Sequence, residues 1–165
     1  MCGIAGRYNY LTHAPVDPAM LRRMADLLAH RGPDGDGVHA DGAIGLSHRR
    51  LAVIDLTDAG RQPMSYGGAL WITYNGEIYN FQDLRRTLES RGHAFQSHTD
   101  TEVILAAYRE WGASCVDHLH GMFAFVIWDR VAKRGFAARD RYGIKPLYLA
   151  ATEQGTLVAS QVKAL

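Results

Sequence analysis

MCGIAGRYNY, residues 1–10, alternates small and larger apolar side chains from Gly3 to Tyr8, the pattern of a strand that begins at the very N-terminus. That reading places Cys2 at the end of a sheet rather than on a loose tail. Working outward, Asp17-Pro18 supplies an N-cap followed by proline at the first helical position. Met20, Leu21, Met24, Leu27 and Leu28 then recur at helical spacing, so a helix with its apolar face inward is predicted to run to about His30. Residues 31–42, RGPDGDGVHADG, are dense in Gly, Asp and Pro and read as an exposed loop. Short strands are predicted at 43–47 and 69–74, with another approached through 76–79, and helices at 81–91 and 101–111. Residues 122–128, 135–139, 147–150 and 156–160 read as a run of hairpin-connected strands. Many short strands beside three helices argue for an α+β domain whose antiparallel sheets pack together with helices outside.

A chain of 165 residues that is 47% hydrophobic can bury one ordinary core and is short for two full-sized domains, so residues 1–165 are read as one domain. Its net charge of +1, from 18 basic and 17 acidic residues, offers no electrostatic footprint for nucleic acid or for a membrane surface. A small molecule or another protein surface is the expected partner. The longest apolar runs, 122–128 and 103–108, fall well short of the roughly 20 residues that cross a bilayer. The opening residues lack the charged and long apolar regions of a secretory signal. Cys2 and Cys115 cannot make a disulfide framework and fit a reducing compartment, so a cytoplasmic location is expected. HExxH, CxxC, GxGxxG and Walker patterns are absent, so no metal or nucleotide site is expected. His48, His98, His118 and His120 are read as polar surface or core-edge groups. The stop at Leu165, just after a strand-like segment, reads as a cut at a domain boundary.

Removal of the initiator Met1 would leave Cys2 with a thiol and an α-amino group on one residue. Such an amine titrates near 7.7–8.0 and a thiol near 8.5, so at neutral pH the amine can take the thiol proton. One terminal residue would supply both nucleophile and base. Taken alone, a cysteine at a strand edge is more often a small apolar packing residue, which is the reading given to Cys115. Asn75-Gly76-Glu77 follows the strand-like 70–74; Asn-Gly is first a hairpin signal. The functional alternative is an oxyanion hole, with a close-approaching backbone N–H and a side-chain amide as two donors, and Glu77 aimed at the ligand. Arg50 is either a solvated or ion-paired side chain or a two-pronged carboxylate binder. Asp100 is a natural helix N-cap, and could equally hold an ammonium group.

MCGIAG at 1–6, RGPDG at 31–35, SHRRLAVIDL at 47–56, RQPM at 61–64, YNGEIYN at 74–80, TDTEVI at 99–104, GMFAFVIWD at 121–129 and ARDRYGIKPLY at 138–148 span nearly the whole chain in order. Together they resemble class II glutamine amidotransferases, and among them the N-terminal domain of glutamine-dependent asparagine synthetases. The resemblance implies an Ntn-hydrolase fold, a four-layer αββα sandwich. It implies Cys2 as nucleophile with its own amine as base, and Asn75 with the Gly76 N–H as oxyanion hole. Arg50 would bind the α-carboxylate of glutamine, Asp100 helped by Glu77 its α-ammonium group, and backbone around Leu51 to Ile54 would line the pocket. SQVKAL departs from the family's S-E-x-K-A-L at Gln161, and the SGGxDS-type phosphate loop of the synthetases does not occur here. No cofactor is therefore expected in this chain, ATP and Mg belonging to a synthetase domain in cis or in trans. A homodimer stays open, as do two other readings. One is the glutaminase of an amidotransferase forming glucosamine phosphate or phosphoribosylamine; the other is a non-catalytic glutamine-binding scaffold, which the retained Cys2 speaks against.

Overall fold

In the computed structural model, which describes residues 1–53 and 57–165, the chain opens with β1 (Gly3–Tyr8), as the alternation predicts. Asp17 then caps α1 (Pro18–Asp26): its Oδ1 accepts the Ala19 N–H at 2.8 Å, and Pro18 takes the first turn, where its missing N–H costs nothing. The α-helix stops earlier than the expected His30, and a 3-10 turn at Ala29–Arg31 carries the chain on.

Residues 31–42 are not the loop that their Gly and Asp content suggests. They contain β2 (Gly35–Asp41), paired antiparallel with β3 (Ile44–Arg50) from Gly35↔Arg50 to Asp41↔Ile44. An edge strand with half-exposed faces needs no apolar alternation, so turn-rich composition does not exclude it. Its Gly37 is required by packing: a Cβ there would lie 2.1 Å from the Gln62 carbonyl oxygen. Gly42, at φ 60°, closes the two-residue turn into β3.

The next elements are β4 (Met64–Tyr66), which the sequence reading missed, and β5 (Leu70–Ile78), which fuses the strands expected at 69–74 and 76–79. Asn75-Gly76 is consequently no hairpin. Both residues lie within β5 and pair with β6 (Gly121–Asp129), Asn75 opposite Ala124 and Gly76 opposite Phe123. Between them run α2 (Phe81–Ser90) and α3 (Asp100–Trp111). β7 (Arg134–Arg139), β8 (Tyr148–Thr152) and β9 (Gly155–Ala159) complete the chain. The last four strands form two separate hairpins, β6–β7 in one sheet and β8–β9 in the other, instead of one continuous run.

The strands make a five-stranded sheet, β2-β3-β1-β9-β8, and a four-stranded sheet, β4-β5-β6-β7. Leu21 and Met24 of α1, with Leu28 just beyond it, pack onto Ala5, Leu157 and Ala159 on the outer face of the first. Leu84 and Leu88 of α2 and Val103 to Ala107 of α3 cover Ile72, Ile78, Phe125 and Ile127 on the outer face of the second. Ile44, Leu46 and Val158 meet Val126 and Trp128 between the sheets. The result is the four-layer αββα sandwich. Fully burying each large aliphatic side chain of these layers contributes roughly 1.5–3 kcal/mol, enough to hold a strained or polar cleft at one end.

Candidate active site

β1 and β3 lie side by side with Gly3 opposite Arg49, so Cys2, just before that pair, and Arg50-Leu51, just after it, meet at one end of the first sheet. The Leu51 N–H points at Cys2 Sγ from 3.4 Å, and the thiol points at the Leu51 carbonyl at 3.6 Å. Burial pushes the Cys2 thiol up, while the Leu51 N–H, the positive N-terminus, Arg50 and Arg31 pull it down. Arg31 Nε donates to the Cys2 carbonyl at 2.9 Å and so fixes where the strand begins. Cys115 is different: it is wholly buried beneath α3, and burial pushes its thiol up to about 12, which leaves it a packing residue.

The second sheet brings the amide donors. Tyr74 turns its backbone N–H to Gln62 Oε1 at 2.7 Å and Ile78 turns its own to Asp100 Oδ2 at 3.0 Å. Opposite Gly76, Phe123 spends both backbone groups on Asp140, on the β7 side. Successive residues of a strand point their N–H groups to opposite sides, so Gly76, in phase with Tyr74 and Ile78, presents its N–H to the same edge. β4 covers only Leu70 to Ile72 of that edge, which leaves the Gly76 N–H facing a cleft. A Cβ on Gly76 would sit 2.3 Å from the Met122 carbonyl oxygen, so no larger residue fits this register. The Asn75 side-chain Nδ2, buried and lining the same cleft, has no hydrogen-bond partner among the described residues. A buried donor without a partner costs about 1–3 kcal/mol, and a ligand oxygen would relieve it.

The cleft encloses about 220 Å³ and gathers Cys2, Arg50, Leu51, Asn75, Gly76, Glu77 and Asp100. Every site residue expected from the sequence is thus in one place except Ile54, which lies outside the described residues. Arg50 leaves the end of β3 and donates to the Thr57 carbonyl at 3.0 Å. Asp100 is not the N-cap of α3. Thr99 is, accepting the Glu102 N–H at 3.2 Å, and Asp100 instead accepts from Tyr74 Oη at 2.7 Å as well as from Ile78. Burial pushes the Asp100 carboxyl up, and these donors act against it. A ligand cation would stabilise its ionised form further.

Several lining residues had been given no role from sequence, Tyr74, Gln62 and Lys145 among them. Tyr74 and Gln62 stand in the quoted segments YNGEIYN and RQPM; Gln62 also donates to Thr101 Oγ1 at 3.3 Å and so braces β5 against α3. Lys145 comes from ARDRYGIKPLY and is only 6% exposed. Its loop is drawn tight by Asp140, whose carboxylate accepts N–H groups from Phe123, Tyr142, Ile144 and Lys145. Burial of Asp140 alone would push its carboxyl up, but those donors prevail and hold it below the usual range. An aspartate at the start of a Gly-containing loop is a turn signal in the sequence; burial of the lysine is visible only in the fold. His48 is also a correction: expected at the surface or core edge, it is wholly buried between the sheets.

A cysteine at the start of the first strand, facing amide donors across a four-layer sandwich, defines the class: this is an N-terminal-nucleophile-type fold. The fold is shared with the glutamine phosphoribosylpyrophosphate amidotransferase of Bacillus subtilis, at a TM-score of 0.82 and 23% identity over 99% of this chain and 42% of that one. The glutamine amidotransferase domain family matches residues 1–165, and the chain belongs to it. The chain is 44% identical to asparagine synthetase [glutamine-hydrolyzing] 3 of B. subtilis (strain 168), covering all of this chain and 27% of the relative. It is 41% identical to asparagine synthetase B [glutamine-hydrolyzing] of Escherichia coli (strain K12), covering all of it and 30% of that protein. The chain therefore spans little more than a quarter of the length of such relatives.

Proposed function

We propose that this domain hydrolyses the side-chain amide of free glutamine and releases ammonia. The observation that carries the reading is that Cys2 shares one cleft with the unpartnered Asn75 amide and with the opposed charges of Arg50 and Asp100. After loss of Met1, the Cys2 amine takes the thiol proton and the thiolate attacks the amide carbon. The oxyanion so formed is met by Asn75 Nδ2 and the Gly76 N–H. The amine's proton passes to the departing nitrogen, which leaves as ammonia, and a γ-glutamyl thioester remains on Cys2. Water, deprotonated by the same amine, then cleaves the thioester to glutamate and restores the thiol. Arg50 takes the α-carboxylate of glutamine, and Asp100 with Glu77 its α-ammonium group, which selects the free amino acid over a peptide amide.

The relatives' names support a wider role, in which the ammonia serves ATP-dependent amidation of aspartate or another carboxylate by a synthetase domain in cis or in trans. ATP and Mg would be held by that domain. Among the described residues no helix is long and apolar enough to cross a membrane, and a cytoplasmic location belongs to the same proposal. The test is to incubate purified protein with glutamine, confirm loss of Met1 by mass spectrometry, and follow glutamate release beside Cys2→Ala. Release that vanishes in the variant is expected. Failure of correctly processed protein to bind glutamine would overturn the assignments of Arg50 and Asp100.

A further inference from the structure

Lys145 is a buried cation without an ion-pair partner among the described residues. Among the described residues its Nζ makes one hydrogen-bond contact, with Met1 Sδ at 3.3 Å. Burying an ammonium group without a compensating anion is costly, and such groups are retained where the charge has work to do. Met1 is bonded through its carbonyl carbon to the Cys2 nitrogen, so removing Met1 takes away the atom beside the Lys145 ammonium and creates the new α-amino group within the same residue's reach. Both groups line the same cleft.

We propose that Lys145 is a positioning residue whose charge acts through the Cys2 α-amino group, keeping that amine deprotonated at neutral pH. The catalytic step needs this state: a neutral amine can take the thiol proton and a protonated one cannot. The other charges around Cys2 are Arg31 from the turn after α1, which holds the Cys2 carbonyl, and Arg50 from the end of β3, Glu77 from β5 and Asp100 from α3, which line the cleft. The two carboxylates favour a protonated amine and the two arginines oppose it. Arg31 is engaged by the Cys2 carbonyl and Arg50 by that of Thr57. When glutamine binds as proposed above, its carboxylate offsets Arg50 and its ammonium offsets Asp100, while Lys145 keeps its field at the amine. Like charges several ångströms apart in a partly dry site shift a titration by about one pH unit.

Two measurements on protein freed of Met1 test this, and only the second rests on the glutaminase reading. In a Cys2→Ser background, where the amine is the terminal nucleophile, the pH dependence of α-amine acetylation by acetic anhydride is read by mass spectrometry. Adding Lys145→Met should raise the half-labelling pH by about one unit, and Lys145→Arg should leave it in place. With Cys2 present, the acidic limb of kcat/KM for glutamate release should move up equally in Lys145→Met and return in Lys145→Arg. An amine that titrates at the same pH with and without the Lys145 charge overturns the inference. Wild-type protein that releases no glutamate would sink the glutaminase reading and leave the labelling result to decide on Lys145. Lys145→Gln replaces the methionine variant if the latter lowers the melting temperature.

Discussion

Tyr74 donates its phenol hydrogen to Asp100 Oδ2 at 2.7 Å, joining the strand that carries the amide donors to the first residue of α3. The bond opposes the burial that pushes the Asp100 carboxyl up. Tyr74→Phe should therefore raise that carboxyl further, so that it loses its charge at a higher pH. The expected result is a KM for glutamine raised about tenfold, in line with the about 1.5–3 kcal/mol of a hydrogen bond to a charged group. The increase should grow as pH falls. A KM unaffected from pH 5 to pH 8 would remove Asp100 from the ammonium site.

Asn75→Ala separates catalysis from binding. The Asn75 Nδ2 has no partner to lose among the described residues, so the variant should fold with little change in stability. Loss of one oxyanion donor should lower kcat by about 10²–10³-fold with KM nearly unchanged. Steady-state kinetics beside the inactive Cys2→Ala decide it; a fall confined to KM would make Asn75 a binding residue.

His48 predicts how the fold responds to acid. Thr73 Oγ1 gives its one hydrogen to the Ser47 carbonyl at 3.0 Å, so it must accept from His48 Nδ1–H at 3.2 Å, leaving Nε2 a buried acceptor without a partner among the described residues. Burial, with Arg50 nearby, lowers its pKa to about 3. Between about 3 and the ordinary 6.5 the unfolded chain binds more protons than the folded one, so stability falls as pH drops through that window. The loss attributable to His48 is on the order of 4 kcal/mol by pH 3. Urea midpoints measured from pH 7 to pH 4 should decline more steeply in the wild type than in His48→Met; parallel slopes would mean that His48 titrates normally.

Gly37→Ala should destabilise the protein by about 1–3 kcal/mol, the usual cost of forcing atoms into a packed contact, since its Cβ would lie 2.1 Å from the Gln62 carbonyl oxygen. Gln62 holds Tyr74 through its side chain, so KM for glutamine should rise with it. Thermal denaturation and kinetics on the same sample check both, and an unchanged melting temperature would show that β2 simply moves aside.

What the sequence made legible follows from how local each signal is. Asp17-Pro18 and the apolar spacing of α1 are complete within a few residues, and the helix starts where they say. Cys2, Arg50, Glu77 and Asp100 could be singled out by chemistry and assembled by resemblance. Apart from the early stop of α1, the failures are long-range. Gly and Asp in β2 look like a loop until the strand is known to be an edge, and Asn75-Gly76 looks like a turn until β6 is known to lie alongside it. Asp100 looks like a cap because nothing near it in the chain reveals Tyr74. Gln62 and Lys145 owe their place in the cleft to loops anchored elsewhere, Gln62 on Tyr74 and Thr101, Lys145 on Asp140.

The late start of β4 at Met64 gives the cleft its chemistry in another sense. An uncovered strand edge is ordinarily a hazard, a row of backbone groups ready to pair with another chain. Here Gln62 and Asp100 block the positions on either side of Gly76, so the opening is one residue wide. A neighbouring polypeptide strand cannot pair there, whereas a single amide can, and glutamine bound in this way would serve as a one-residue extension of the sheet, dismissed again with each turnover.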